Sequence, residues 1–135
     1  MQLYLEFYPQ SERAAEAQEI LFQLLEKLAY KELMATRLYF NLGTYMGNNY
    51  QSSVITAQNA LKDYPYSKYR EEFMFLIIRA KYELALVSVE EKLQGRYRDV
   101  VDEYYTYVNE YPNGRFLKQV TKYFEYANKR ITDVY

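Results

Sequence analysis

Apolar residues recur along this chain at steps of three, four and seven, the intervals that line one face of an α-helix. From Ser11 to about Leu42 the stripe is Ala17, Leu21, Leu24, Leu28, Ala35, Leu38 and Leu42. Ser11 is the candidate N-cap, and Glu12 and Glu16 put negative charge at the positive end of the helix dipole. The stretch predicts one long helix, or two broken near Tyr30. A second segment, from the "GNN" turn to Pro65, steps through Tyr50, Val54, Ala57, Leu61 and Tyr64. A third, after Ser67, carries Phe73, Leu76, Ile77, Ala80, Leu84 and Val87 on one side and continues through the polar "SVEEKLQ" to Gly95. A fourth runs from Tyr97 through Val101, Tyr104 and Val108 to Tyr111. The last, from Asn113, turns Phe116, Val120, Tyr123, Phe124, Ala127 and Ile131 inward, with a polar side left for water.

The breakers divide these segments at regular places. All 3 prolines sit in Tyr-Pro pairs, Tyr8-Pro9, Tyr64-Pro65 and Tyr111-Pro112, and proline disfavours the helical conformation in the residue before it. Each pair therefore ends one helix, and the Ser or Asn after it opens the next. The second and fourth segments share their intervals at an offset of 47 (97 minus 50, and 112 minus 65), which is an internal repeat. Tetratricopeptide units have this layout in about 34 residues: a helix, a turn, a second helix and a proline stop. The 18 residues "GRYRDVVDEYYTYVNEYP" fit the second half of such a unit, with Gly95 as the turn, and Tyr50, Ser53, Ala57, Ala60, Leu61 and Pro65 hold corresponding places earlier. The expected fold is all-α, a tetratricopeptide-like helical solenoid whose first helices are elongated. It forms a single domain over 1–135, with repeat boundaries near Pro9, Pro65 and Pro112 and a capping helix over 114–133.

Composition narrows the chemistry. With 17 Lys plus Arg against 18 Asp plus Glu, no basic surplus exists to neutralise a phosphate backbone, so nucleic acid is not an expected partner. The chain has no Cys and no His, which removes thiolate nucleophiles, zinc-thiolate sites and the usual general base. The neighbouring carboxylates Glu71-Glu72, Glu90-Glu91 and Asp102-Glu103 point in different directions on a helix and read as solvated faces. Glu12, Glu16 and Glu19 share a face, and the helix dipole accounts for them. No enzyme activity, cofactor or metal is expected. No stretch is apolar enough for a signal peptide or a membrane span, so the chain as given reads as soluble.

The runs "EKLAYKELMATRLYFNLGTY", "ALKDYPYSKYREE" and "EEKLQGRYRDVVDEYYTYVNEYPNGRFLKQ" resemble the C-terminal portion of the BamD family, tetratricopeptide lipoproteins of the bacterial outer-membrane β-barrel assembly machinery. The resemblance spans about Phe7 to Lys129. "MGNNY" stands as an insertion after the turn "GTY". The family begins with a signal peptide, a lipid-bearing cysteine and earlier repeats, so the chain reads as a fragment that starts in the second helix of a repeat. The resemblance implies a non-catalytic scaffold on the periplasmic face of the outer membrane, binding the POTRA domains of the barrel-inserting subunit. Unfolded outer-membrane proteins are implied clients, and membrane contact is expected only through a lipid anchor that this stretch lacks.

The candidate contact surface is the outward side of the second segment, Ser52, Thr56, Asn59 and Asp63, together with Tyr105 and Tyr107 from "YYTY". The four are polar positions opposite the packing stripe. The two tyrosines lie off their stripe, where Tyr suits either packing on the next repeat or an exposed binding face. The alternative is a tetratricopeptide adaptor gripping short peptides in its concave groove. Basic clamp residues would favour that reading, and the inner stripes look apolar and aromatic.

Overall fold

The computed structural model describes residues 12–131, so the Ser11 cap, the Pro9 boundary and positions 132–133 of the span expected for the capping helix lie outside the described residues. Among the described residues five helices come in order: α1 (Glu12–Leu42), α2 (Asn49–Asp63), α3 (Arg70–Leu86), α4 (Glu90–Glu110) and α5 (Leu117–Arg130). The architecture is all-α and tetratricopeptide-like: α1 with α2 and α3 with α4 form two helix pairs, and α5 closes the stack. Each helix packs on the next in sequence. α1 also touches α3, and α3 touches α5, whereas α2 and α4 do not meet. The first helices of the units therefore form the tighter, inner side of the stack.

α1 is one unbroken helix of 31 residues, rich in Ala, Leu, Glu and Lys, which favour helix, with no proline or glycine inside. It stops at Gly43, whose φ of 57° lies in the left-handed region that glycine enters without Cβ strain. A Cβ there would also meet the Tyr50 hydroxyl at 2.9 Å. Asn48 then caps α2, its side-chain oxygen accepting the Gln51 N–H at 3.2 Å.

The buried side of α1 differs from the predicted leucine stripe. Ala29, Leu33 and Thr36 are buried, while Leu24, Leu28, Leu38 and Leu42 are exposed. α1 has two apolar faces, and α2 and α3 cover the one centred on Leu33. There Ser53 of α2 donates its hydroxyl to the Thr36 carbonyl at 2.8 Å, pairing a buried polar group that would otherwise cost stability.

α3 is the centre of the core. The run from Phe73 to Ile78 is buried at every position, because α1, α2, α4 and α5 surround it. α3 ends at Leu86, and α4 begins at Glu90 with Glu90 and Glu91 in its first turn. Gly95 is thus inside α4 and not at the turn expected for it. In the second unit most of the extra length falls on α4, with 21 residues against 17 in α3.

Candidate partner interface

The two Tyr-Pro turns share one hydrogen-bond scheme at the sequence offset of 47. Tyr64 N–H donates to the Ala60 carbonyl at 2.8 Å, and Tyr111 N–H to the Tyr107 carbonyl at 2.7 Å. Ser67 N–H donates to the Tyr64 carbonyl at 3.1 Å, and Gly114 N–H to that of Tyr111 at 3.0 Å. Glutamates of the preceding first helix cap the backbone just beyond each turn: Glu26 accepts the Lys68 N–H at 3.2 Å, and Glu71 accepts the Arg115 N–H at 2.7 Å. These carboxylates satisfy donors that a helix start leaves unpaired.

One residue of the predicted surface is corrected by this scheme. Tyr107 is fully buried and belongs to the core, not to an exposed face. It stands where the first unit has Ala60, and its ring fills the joint between α3, α4 and the start of α5. Its hydroxyl donates to Glu71 Oε2 at 2.6 Å and accepts the Phe116 N–H at 3.1 Å. In the first unit the matching amide, Tyr69 N–H, is capped by Ser67 Oγ at 3.1 Å. Gly114 replaces Ser67 because a Cβ would run into the Tyr107 hydroxyl and stand 2.6 Å from Glu71 Oε2. Burial, reinforced by the Glu71 hydrogen bond, pushes the Tyr107 phenol up to about 12.

The other predicted residues fall in two places. Ser52, Thr56, Asn59 and Asp63 form one row on the outer side of α2, the first two half-buried and the last two exposed. Tyr105 is exposed on α4, its ring lying 5.5 Å from those of Tyr104 and Phe124 and so leaning toward α5. With α2 and α4 apart, the structure does not join Tyr105 to the α2 row.

Asp63 ends this row beside a feature that the hydrophobic pattern did not reveal. Its counterpart at the 47 offset is Glu110, whose two carboxylate oxygens are gripped by Arg70. That pair holds the Glu110 carboxyl below the usual carboxylate range. At the first turn the neighbour from the preceding first helix is Leu25, and Asp63 has no ion-pair partner among the described residues. Asp63 lines a cleft of about 110 Å³ with Phe22, Leu25, Tyr64 and Tyr66. Phe22 is half-exposed, and Tyr66, at the tip of the turn, is 90% exposed. The signal in the sequence was local: Tyr66 stands directly after Pro65, a turn-tip position where no helix can cover it. Asp63, without an ion-pair partner among the described residues, thus stands beside exposed aromatic rings, the side-chain type that interfaces enrich.

Among the described residues no cluster of acidic side chains could hold a metal ion, and no helix is long and apolar enough to cross a membrane. Stacked helix pairs with polar and aromatic side chains exposed at their ends define a tetratricopeptide-like repeat protein. The family model described as YfiO, outer membrane lipoprotein, matches residues 1–95, and the chain belongs to that family. The match takes in α1, α2, α3 and the first turn of α4. No curated protein gives a significant match.

Proposed function

We propose that the chain is a non-catalytic scaffold of the outer-membrane β-barrel assembly machinery, working at the periplasmic face of the outer membrane. Its partners are the POTRA domains of the barrel-inserting subunit, with unfolded outer-membrane proteins as the cargo served. Membership of an outer membrane lipoprotein family supports the assembly role. The observation that carries the surface is Asp63, an exposed carboxylate with no ion-pair partner among the described residues, at the very place where the second unit neutralises Glu110 with Arg70. Asn59 and Asp63 supply polar contacts there, and Phe22, Leu25 and Tyr66 supply the apolar area that an interface centre needs.

The test is calorimetric titration of this chain with the soluble POTRA domains from the same source. Saturable binding is expected, weakened about tenfold or more by Asp63→Arg or by Thr56→Glu with Asn59→Glu, with the melting temperature unchanged. Unaltered affinity in those variants removes the α2 row from the interface. Absence of heat and of co-elution, with the chain folded by circular dichroism, overturns the POTRA reading itself.

A further inference from the structure

The two kinds of turn lie at opposite ends of the stack. Gln51 near the start of α2, Leu84 near the end of α3 and Arg96 near the start of α4 line one cavity of about 270 Å³. The turns that open α2 and α4 therefore share an end, and the Tyr-Pro turns take the other. α5 returns to the first end, where the Gln94 side chain donates to the Arg130 carbonyl at 2.8 Å.

The α1–α2 turn exposes apolar side chains there. Tyr45 is 68% exposed and Met46 89% exposed. Met46 also has a φ of 55°, in the left-handed region that Gly or Asn enters at lower cost than a bulky side chain. The turn's own hydrogen bonds hold it so: Asn49 donates its N–H to the Gly43 carbonyl at 2.8 Å and its side-chain amide to the Tyr45 carbonyl at 2.7 Å. For turning the chain alone, glycine or asparagine would serve better at this position; methionine adds strain and sets a flexible apolar side chain in water. The surroundings carry no charge. No charged residue occurs from Leu38 to Leu61, in a chain that is 26% charged, so taking this tip out of water desolvates no ion of its own.

Shape and charge identify the occupant. Met46 protrudes, and a partner protein would have to offer it a pocket, whereas a bilayer yields to it. Val87 and Val89 of the α3–α4 turn, both more than half-exposed, stand at the same end. Lys92 of α4 and Lys129 and Arg130 of α5 are exposed there too, and long cationic side chains suit lipid phosphates. Glu90 and Glu91, directly after Val89, keep that second turn at the level of the headgroups. We propose that the α1–α2 tip enters the interface of a lipid bilayer, Met46 reaching the acyl boundary and Tyr45 the headgroups, so that the stack stands end-on to the membrane. The proposal takes its bilayer from the outer-membrane reading above and uses the end of the stack away from Asp63. A single lipid chain gives only marginal membrane binding, so a second contact of this kind would fix the orientation of an anchored protein.

The chain has no Trp, so single substitutions report position. Tyr45→Trp and Tyr66→Trp place one indole at either end, and the probe is vesicles of phosphatidylcholine with about one-quarter phosphatidylglycerol. The emission of Tyr45→Trp is expected to shift to the blue and to be quenched by brominated acyl chains, while that of Tyr66→Trp stays unchanged. In vesicle sedimentation Met46→Asn should bind about tenfold more weakly than the wild type, the loss of one partly inserted apolar side chain. The same variant should melt no lower than the wild type, because Asn accepts the left-handed φ. No shift for Tyr45→Trp at millimolar lipid, an equal shift for Tyr66→Trp, or unaltered binding of Met46→Asn overturns the proposal. A shift of Tyr45→Trp with soluble POTRA domains but none with vesicles overturns the bilayer in favour of a protein partner. Vesicle binding without POTRA heat overturns the POTRA contact alone, and POTRA heat without vesicle binding overturns the membrane contact alone.

Discussion

Tyr107 of α4 donates its hydroxyl to Glu71 of α3 at 2.6 Å, and the same oxygen accepts the N–H that opens the α5 turn. One side chain thereby ties three helices, and it does in the second unit what Ser67 does locally in the first. Tyr107→Phe keeps the ring but deprives Glu71 and the Phe116 N–H of a partner in a buried joint, and should cost about 1–3 kcal/mol by urea unfolding. Tyr107→Ala should cost about 3–5 kcal/mol, because the cavity is added. Adding Gly114→Ser to Tyr107→Ala recreates the Ala60 and Ser67 pairing of the first unit. The double variant should therefore be more stable than Tyr107→Ala alone, while Gly114→Ser in the wild-type background destabilises through its Cβ clash. A double-mutant cycle with no coupling would falsify the idea that the two residues are exchanged as a pair.

The same joint sets a pH dependence. The Tyr107 phenol, pushed up to about 12, keeps its proton in the folded state where the unfolded phenol loses it near pH 10. Its contribution to stability is whole below about pH 10 and disappears as pH rises toward about 12. Urea midpoints between about pH 9 and 11 should fall more steeply for the wild type than for Tyr107→Phe. At the acid end the sign reverses. Hydrogen bonding to Arg70 lowers the Glu110 carboxyl, so that stabilisation is present at neutral pH and is lost as pH falls through the depressed value. Both side chains are about one-third exposed, and solvent screening keeps the pair within about 1 kcal/mol. Glu110→Gln should show that small deficit at about pH 7 and lose it as acid protonates the wild-type carboxylate.

The Tyr-Pro stops and the 47-residue offset were legible because proline excludes helix in the residue before it, whatever surrounds it. Arg79 was not legible, and Tyr107 only as one of two alternatives, for a shared reason. Each joins a long apolar or aromatic body to a polar end, so a hydrophobic stripe drawn through α3 or α4 passes beside it. Arg79 lays its charge over Phe40, and only the position of α1 reveals that. Asp63 belongs to a third kind. Its lack of an ion-pair partner among the described residues follows from Leu25 standing where the second unit has Arg70, a comparison of helices that the linear spacing does not display. The start of α4 was obscured by Gly95, which looks like a turn residue until the acidic pair Glu90 and Glu91 is seen to open the helix.

Gly95 supplies the next test. It lies inside α4, and a Cβ built there meets nothing within 4 Å. No positive φ demands glycine at this site. Gly95→Ala should stabilise the chain by about 0.5–1 kcal/mol, by restricting the unfolded backbone and filling no occupied space. A loss of stability on thermal unfolding would show that α4 does not continue through this residue.

The two apolar faces of α1 make the sharpest distinction between periodicity and packing. Leu28 belongs to the more regular leucine stripe, yet it is 47% exposed; Leu33 belongs to the less regular one and is 0% exposed. Leu33 touches the cluster that includes Val54 of α2 and Ile77 and Ile78 of α3, so truncation leaves a cavity that rigid helices on two sides cannot close. Leu33→Ala should cost about 2–5 kcal/mol in urea unfolding. Leu28→Ser removes no described contact of comparable burial and should stay within about 0.5 kcal/mol of wild type. Equal losses at both positions would mean that the leucine stripe is covered in solution as fully as the Leu33 face, and the packing assigned to α1 would have to be redrawn around both.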